Sequence, residues 1–337
     1  MRLLLNIAVL ILTLPGFAAA APAVPMETYT TPAELVRLPD GRRMNLFCLG
    51  AGTPAVILDA GAGQGTSAWA TVQAEIAETT QVCAFDRAGL GFSSPGPLPR
   101  DAMAMVADEK AMLEAAGIDG PFVLVGHSLA GFNVELFTYL HRSDVAGIVL
   151  VDPSVPHWDR RVAQIAPTMA ASGAAARAKR RSCADRVIAG ELGPTAPAFT
   201  ACFPPPPEGL PATVREVVLA RQLDKDMHRT INSELDSEEA SSAEVERHRR
   251  QLGDLPVVVL TAVGQTYPPT VPDGEKAARA ALWTQGHAAI AALSSRGEQR
   301  RVDSGHYIGQ TRPDAIVAAV RQVVEAARSG NAEDGAH

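Results

Sequence analysis

The chain has 337 residues, 47% hydrophobic, 20% charged and 5% aromatic, with a formal charge of -7. That length suits one large domain, or one domain carrying an insertion, and buries roughly three-quarters of its unfolded surface without help from a metal or disulfide. Its patterned apolar content excludes global disorder and a collagen-like repeat, and its acidic balance gives no electrostatic drive toward nucleic acid.

Met1-Arg2 precedes the apolar runs Leu3–Leu5 and Ile7–Leu14, Pro15-Gly16 breaks them, and Ala18-Ala19-Ala20 supplies small residues suited to a signal peptidase. Residues 1–20 therefore read as a cleaved export signal: the stretch is shorter than a membrane span and lacks a stop-transfer flank. A retained N-terminal anchor is the alternative. The expected location is extracytoplasmic, periplasmic or secreted, with no integral membrane association. Residues 21–34 form an N-terminal extension.

Arg43 to Leu49 predicts a strand, and Ala55 to Asp59 a second, followed at once by the glycine-rich turn Ala60-Gly61-Ala62-Gly63-Gln64-Gly65. Trp69 to Thr79 reads as a helix. Gln81 to Phe85 returns to strand and ends at Asp86-Arg87-Ala88-Gly89. Met103 to Ala116 is helical, with Gly117 as its stop. Phe122 to Val125 is an apolar strand entering Gly126-His127-Ser128-Leu129-Ala130-Gly131, and a helix follows through Leu140. Gly147 to Val151 is another apolar strand, ending at Asp152-Pro153. Short, continuously apolar strands alternating with helices predict an α/β fold with a mostly parallel sheet covered on both faces. Its functional loops should gather at the strand ends.

After Pro156 the pattern changes. Residues 156–250 are rich in alanine and alternating charge, contain the break Pro204-Pro205-Pro206-Pro207, and show strand character only at Val214–Leu219. They read as an inserted helical cap, in which the basic run Arg177, Lys179, Arg180, Arg181 is a solvated helix face. Sheet character resumes at Pro256–Thr261. Residues 276–296 are helical, Arg300–Val302 is a last short strand, Pro313–Ala327 is a closing helix, and 329–337 is a flexible tail. The core thus comprises 35–155 and 251–328.

Export changes the meaning of the four cysteines, because an oxidising compartment favours disulfides. Cys48 and Cys83 each end an apolar run in the first half, whereas Cys183 and Cys202 share the inserted region. The expected pairs are Cys48–Cys83 and Cys183–Cys202, with buried thiols as the alternative for the first pair. None has the clustered spacing with histidines of a structural zinc site, so no metal is expected.

Ser128 carries the chemical signal. An apolar strand runs straight into it and small residues lead into a helix, which permits a sharp turn with the hydroxyl exposed above the sheet. The ordered series Gly61-Ala62-Gly63, Asp86-Arg87-Ala88-Gly89-Leu90-Gly91, Gly126-His127-Ser128-Leu129-Ala130-Gly131 and Asp303-Ser304-Gly305-His306 resembles the α/β-hydrolase superfamily, its serine-nucleophile branch with a helical cap. The resemblance covers roughly residues 35–328. It departs from G-x-S-x-G at one place, where Ala130 stands for the last glycine and Gly131 follows.

The resemblance implies Ser128 as nucleophile and His306 as its base, with His127 in a packing or hydrogen-bonding role. Asp152, 24 positions after Ser128 in an Asp-Pro context, matches the acid of some lipase-like members; most others place the acid after the following strand, where Asp273 is the first available. Asp303 is the third candidate, while Asp86 and Asp59 read as structural. Matching the family's donor loop puts the oxyanion hole at the N–H groups of Ala62 and Leu129. The glycine spacing of 61–65 is wrong for a dinucleotide fingerprint, and no cofactor is implied.

The activity implied is hydrolysis of a small-molecule carboxylic ester through an acyl-enzyme. Extracytoplasmic peptidase or amidase chemistry and a noncatalytic ligand-binding relative are the alternatives. Within the cap, Trp158, Phe199 and Phe203 either line an acyl pocket or hold helices onto the body. His228 and Asn232 either touch substrate or serve an ordinary helix surface.

Overall fold

Eight strands form one sheet: β1 (Glu34–Arg37), β2 (Arg43–Leu49), β3 (Val56–Asp59), β4 (Val82–Phe85), β5 (Phe122–His127), β6 (Val145–Val151), β7 (Val257–Ala262) and β8 (Gly297–Val302). The computed structural model describes residues 23–207 and 209–334, so the expected export signal and the last three residues lie outside the described residues. The sheet order is β1-β2-β4-β3-β5-β6-β7-β8. β2 runs antiparallel to β1 and β4, and every other pairing is parallel.

The inner strands β3 to β7 are buried on both faces, which is why they read as apolar runs rather than as alternating ones, whereas the edge strand β8 is polar and partly exposed. On one face Ile57, Leu124, Ile148 and Leu150 meet α2 (Ala102–Ala115), α3 (Ala130–Leu140), α9 (Glu238–His248) and α10 (Asp273–Ala291). On the other, Leu58, Val123, Val125 and Val149 meet α1 (Gln73–Ala77) and α12 (Pro313–Asp334), the latter through Ile316, Val320 and Val323. A short helix, α11 (Ile308–Thr311), links β8 to α12.

The insertion between β6 and β7 is helical: α4 (Trp158–Ile165), α5 (Pro167–Ala189), α6 (Phe199–Cys202), α7 (Ala212–Gln222), α8 (Lys225–Asp236) and α9. It has a small core of its own, where Phe199, Val187 and Leu192 pack with Phe203 and Cys202. Cys183 of α5 is bonded to Cys202 of α6. The other disulfide joins Cys48 to Cys83, which stand opposite each other on β2 and β4.

Three expectations need correcting. Val214–Leu219, read as a strand from its β-branched run, lies inside α7: only Val214 of that helix is fully buried and Leu219 packs partly against the cap core, so its helical period is weakly marked in the sequence. Glu34–Arg37 is a strand that the sequence reading placed in or beside the extension. The closing helix continues past Ala327 to Asp334, through residues expected to form a tail.

Candidate active site

Ser128 follows β5 in a left-handed backbone conformation, φ 56°, uncommon for a residue with a side chain. Its N–H donates to Val151 O (3.1 Å), and its own carbonyl accepts from the N–H groups of Gly131 and Ser154, both at 2.9 Å. The turn closes only because glycine stands where the chain crowds. A Cβ on Gly126 would lie 2.6 Å from Ala130 O, and one on Gly131 would lie 2.5 Å from Pro153 Cβ. The tight contact with the next strand end thus falls at 131, and Ala130 is accommodated as a fully buried residue.

His306 arrives on the loop after β8. Its Nε2 is 2.9 Å from Ser128 Oγ and its Nδ1 is 2.7 Å from Asp152 Oδ2. With its ring proton on Nδ1 and donated to the carboxylate, the imidazole turns the Nε2 lone pair toward the serine hydroxyl. Asp152 ends β6, also with positive φ (45°), and is fully buried. Its charge is compensated: Oδ1 accepts from Ala262 N–H (2.9 Å) and Trp283 Nε1–H (2.7 Å), and Gln265 Nε2–H lies 3.4 Å from Oδ2. Asp273, the rival acid, sits at the start of α10 with 96% of its side chain exposed and pairs with Lys276 at 2.8 Å; it does not meet His306. Asp303 is exposed.

His127 points elsewhere. Burial first, and the neighbouring His306 second, push its pKa down to about 4. As a neutral ring it donates Nε2–H to the backbone carbonyl of His306 at 3.0 Å, fixing the loop that presents the second imidazole.

The N–H groups of Ala62 and Leu129 have no acceptor among the described residues, while the amides on either side of Ala62 are occupied. Gly61 N–H donates to Gln64 Oε1 (3.2 Å) and Gly63 N–H to Glu234 Oε2 (3.0 Å). Beside them Arg87, 2% exposed, ion-pairs with Asp59 (2.6 Å) and Glu234 (2.8 Å). It also donates to the carbonyls of Ala60 and Gly61. The two carboxylates hold its guanidinium ionised despite the cost of burial. Asp86 accepts from Thr66 N–H and Phe92 N–H, bracing the same loops.

A cleft of about 230 Å³ is lined by the apolar Phe132, Val155, Trp158, Leu235 and Trp283 and by the acidic Asp159, Asp236, Glu238 and Glu239; Ser154, also in its wall, is bonded to the Ser128 turn. Trp158 packs edge-on against Trp283, with ring centroids 4.5 Å apart. Phe199 and Phe203 lie in the cap core instead. His228 is buried against Phe203 and donates Nε2–H to Gln222 O (2.9 Å), and Asn232 Oδ1 accepts from Arg180 (2.9 Å), so each is tied within the cap through one polar atom.

Sequence reasoning did not single out Trp283, Gln265, Arg87 or Glu234. Arg87 stood inside one of the quoted motifs; the others carry no local signal, because each acts on a residue more than a hundred positions away.

Residues 54–185 match the alpha/beta hydrolase fold family. A 104-residue stretch is 40% identical to a putative carbamate hydrolase RutD of Klebsiella pneumoniae (strain 342), covering 30% of this chain and 38% of that protein. The chain spans less than half the length of the curated relatives it matches. Among solved structures, a thermophilic esterase from Thermogutta terrifontis superposes with TM-score 0.57 at 18% identity, over 88% of this chain and 99% of its own. A putative epoxide hydrolase from Pseudomonas aeruginosa (Q244E mutant) gives TM-score 0.61 at 16% identity, over 86% and 93%. Both likenesses are of fold. Among the described residues no helix is long and apolar enough to cross a membrane.

Proposed function

We propose that this chain, whose residues 54–185 match the alpha/beta hydrolase fold family, is a serine hydrolase that cleaves carboxylic esters of small molecules through an acyl-enzyme. The observation that carries this reading is the continuous hydrogen-bonded series from buried Asp152 through His306 to Ser128 Oγ, at 2.7 and 2.9 Å.

Ser128 Oγ attacks the ester carbonyl as His306 Nε2 takes its proton; Asp152 stabilises the imidazolium and stays ionised. The carbonyl oxygen becomes an oxyanion held by the N–H groups of Ala62 and Leu129, neither of which has an acceptor among the described residues. Collapse breaks the bond to the alcohol oxygen, which receives the proton from His306. Water, deprotonated by the same nitrogen, then adds to the acyl carbonyl; the second collapse releases the acid and returns the proton to Ser128. The cleft at Trp158 is the acyl site in this scheme. His228 and Asn232 shape the cap around it, and residues 156–250 serve as the lid domain over a core formed by 35–155 and 251–328.

The test is release of p-nitrophenol from a short-chain ester: a burst equal to the enzyme concentration followed by turnover in the wild type, and neither in Ser128→Ala. A second reading, cleavage of a C–N bond, is favoured by the 40% identical stretch shared with a putative carbamate hydrolase. Matched ester and amide substrates separate the two. Both disulfides support an extracytoplasmic location.

A further inference from the structure

The loop that carries the Ala62 N–H is held from the cap. Glu234, in the last turn of α8, is 1% exposed and reaches down into the body. Its Oε2 accepts from Gly63 N–H (3.0 Å) and Arg87 (3.1 Å), and its Oε1 accepts from Arg87 Nε–H (2.8 Å). The rest of the Arg87 fork holds Asp59 Oδ1 (2.6 Å), Ala60 O and Gly61 O (2.9 Å). Residues 59, 60, 61 and 63 are thereby fixed on either side of Ala62, and the Ala62 amide between them has no acceptor among the described residues. The same face of α8 lies directly on two glycine turns. A Cβ on Gly63 would come within 2.9 Å of Ile231 Cδ1, and one on Gly89 within 2.0 Å of Thr230 Oγ1.

We propose that Glu234 is a positioning residue: its carboxylate, delivered by the cap, sets the backbone geometry of the 61–63 loop through Gly63 N–H and Arg87, so that seating of the cap and stabilisation of the oxyanion are one event. The proposal rests on the serine-hydrolase reading above. Its physical basis is that a charge-assisted bond to a backbone amide is short and directional. An oxyanion donor displaced by a fraction of an ångström also loses most where negative charge develops and little in the ground state. A body that closes its loop without the cap would need no buried carboxylate from α8 at this point.

The experiment compares wild type, Ser128→Ala, Glu234→Gln and Glu234→Asp, each checked for native circular dichroism and assayed well below its melting temperature. Four quantities are read: kcat and KM on a p-nitrophenyl ester, inhibition by a trifluoromethyl ketone that forms an oxyanion on the serine, and binding of an unreactive ether of the same shape. The expected result for Glu234→Gln is a kcat loss of about 10-fold to 100-fold, with a parallel rise in the inhibition constant of the ketone. KM and ether binding should stay within about threefold, as for any interaction made only in the transition state. Glu234→Asp keeps the ion pair with Arg87 and should recover part of kcat; it carries the test if the glutamine variant does not fold. A folded variant with wild-type kcat overturns the proposal while leaving the hydrolase reading intact, and so does a loss shared equally by ether binding. Ser128→Ala hydrolysing as fast as wild type removes the hydrolase reading itself, and the proposal with it.

Discussion

Replacing Asp152 by asparagine is the most informative single change, because the surroundings dictate how the new side chain must sit. Ala262 N–H and Trp283 Nε1–H both point at Oδ1, so the amide oxygen takes that place and its NH2 faces His306 Nδ1. The imidazole must then accept at Nδ1 and carry its proton on Nε2, 2.9 Å from Ser128 Oγ, where a donor cannot remove the serine proton. The positive ring formed during attack also loses its counter-charge. Amide-for-acid exchange in a Ser-His-Asp site lowers kcat by about 10⁴, which corresponds to about 5.4 kcal/mol of barrier at about 1.36 kcal/mol per tenfold. Both donors to Oδ1 remain paired, so the fold should survive; alanine would strand them at about 1–3 kcal/mol each. The assay is kcat for a p-nitrophenyl ester, with circular dichroism melting as control and Asp273→Asn alongside. Asp273→Asn should stay within about twofold, as befits an exposed helix-end residue. An Asp152→Asn enzyme within tenfold of wild type, or an Asp273→Asn enzyme that is the more impaired, refutes the reasoning.

Other predictions follow from the same geometry. His127 titrates at about 4 in the folded chain against 6.5 unfolded. Its neutral form is therefore the folded one, and its contribution is complete above pH 6.5 and lost as the pH falls from 6.5 through 4. Between pH 7 and pH 4.5, still above the folded value, the loss is about 2.4 kcal/mol, and urea melts at those two pH values should differ by that much less in His127→Phe than in wild type. Gly126→Ala drives a Cβ against the Ala130 carbonyl, so unfolding should become easier by about 1–3 kcal/mol and kcat should fall with it; unchanged values in both would mean the turn can relax. The double change Cys183→Ser, Cys202→Ser frees a loop of 19 residues in the cap. Calorimetry should show a stability loss of about 2–4 kcal/mol, and reductant should destabilise wild type at least as much, because it can also open Cys48–Cys83.

The central strands were legible in the sequence because two-sided burial writes itself as an apolar run: Phe122–His127 and Val257–Ala262 are buried from end to end, and Val145–Val151 at every position but Ala146. The motif order around Ser128 and His306 was legible too, since a sharp turn at a strand end demands small residues at fixed offsets. Elements held by few contacts were not. Glu34–Arg37 is a four-residue outer strand with one buried side chain, and α7 offers the β-branched run Val217-Val218 to a helix that buries only Val214. Least legible were the side chains whose meaning comes from a distant partner. Glu234 has the appearance of any helix-surface glutamate until the fold brings Arg87 and Gly63 beneath it, and Trp283 that of an ordinary core residue until Asp152 meets its indole N–H. Choosing between Asp152 and Asp273 likewise required knowing which strand ends beside His306.

The proposed nucleophile is tested most directly by covalent labelling. Wild-type protein treated with a fluorophosphonate and mapped by peptide mass spectrometry should carry one adduct, on Ser128, and Ser128→Ala should carry none. An adduct on a different residue, or equal labelling of the variant, contradicts the account.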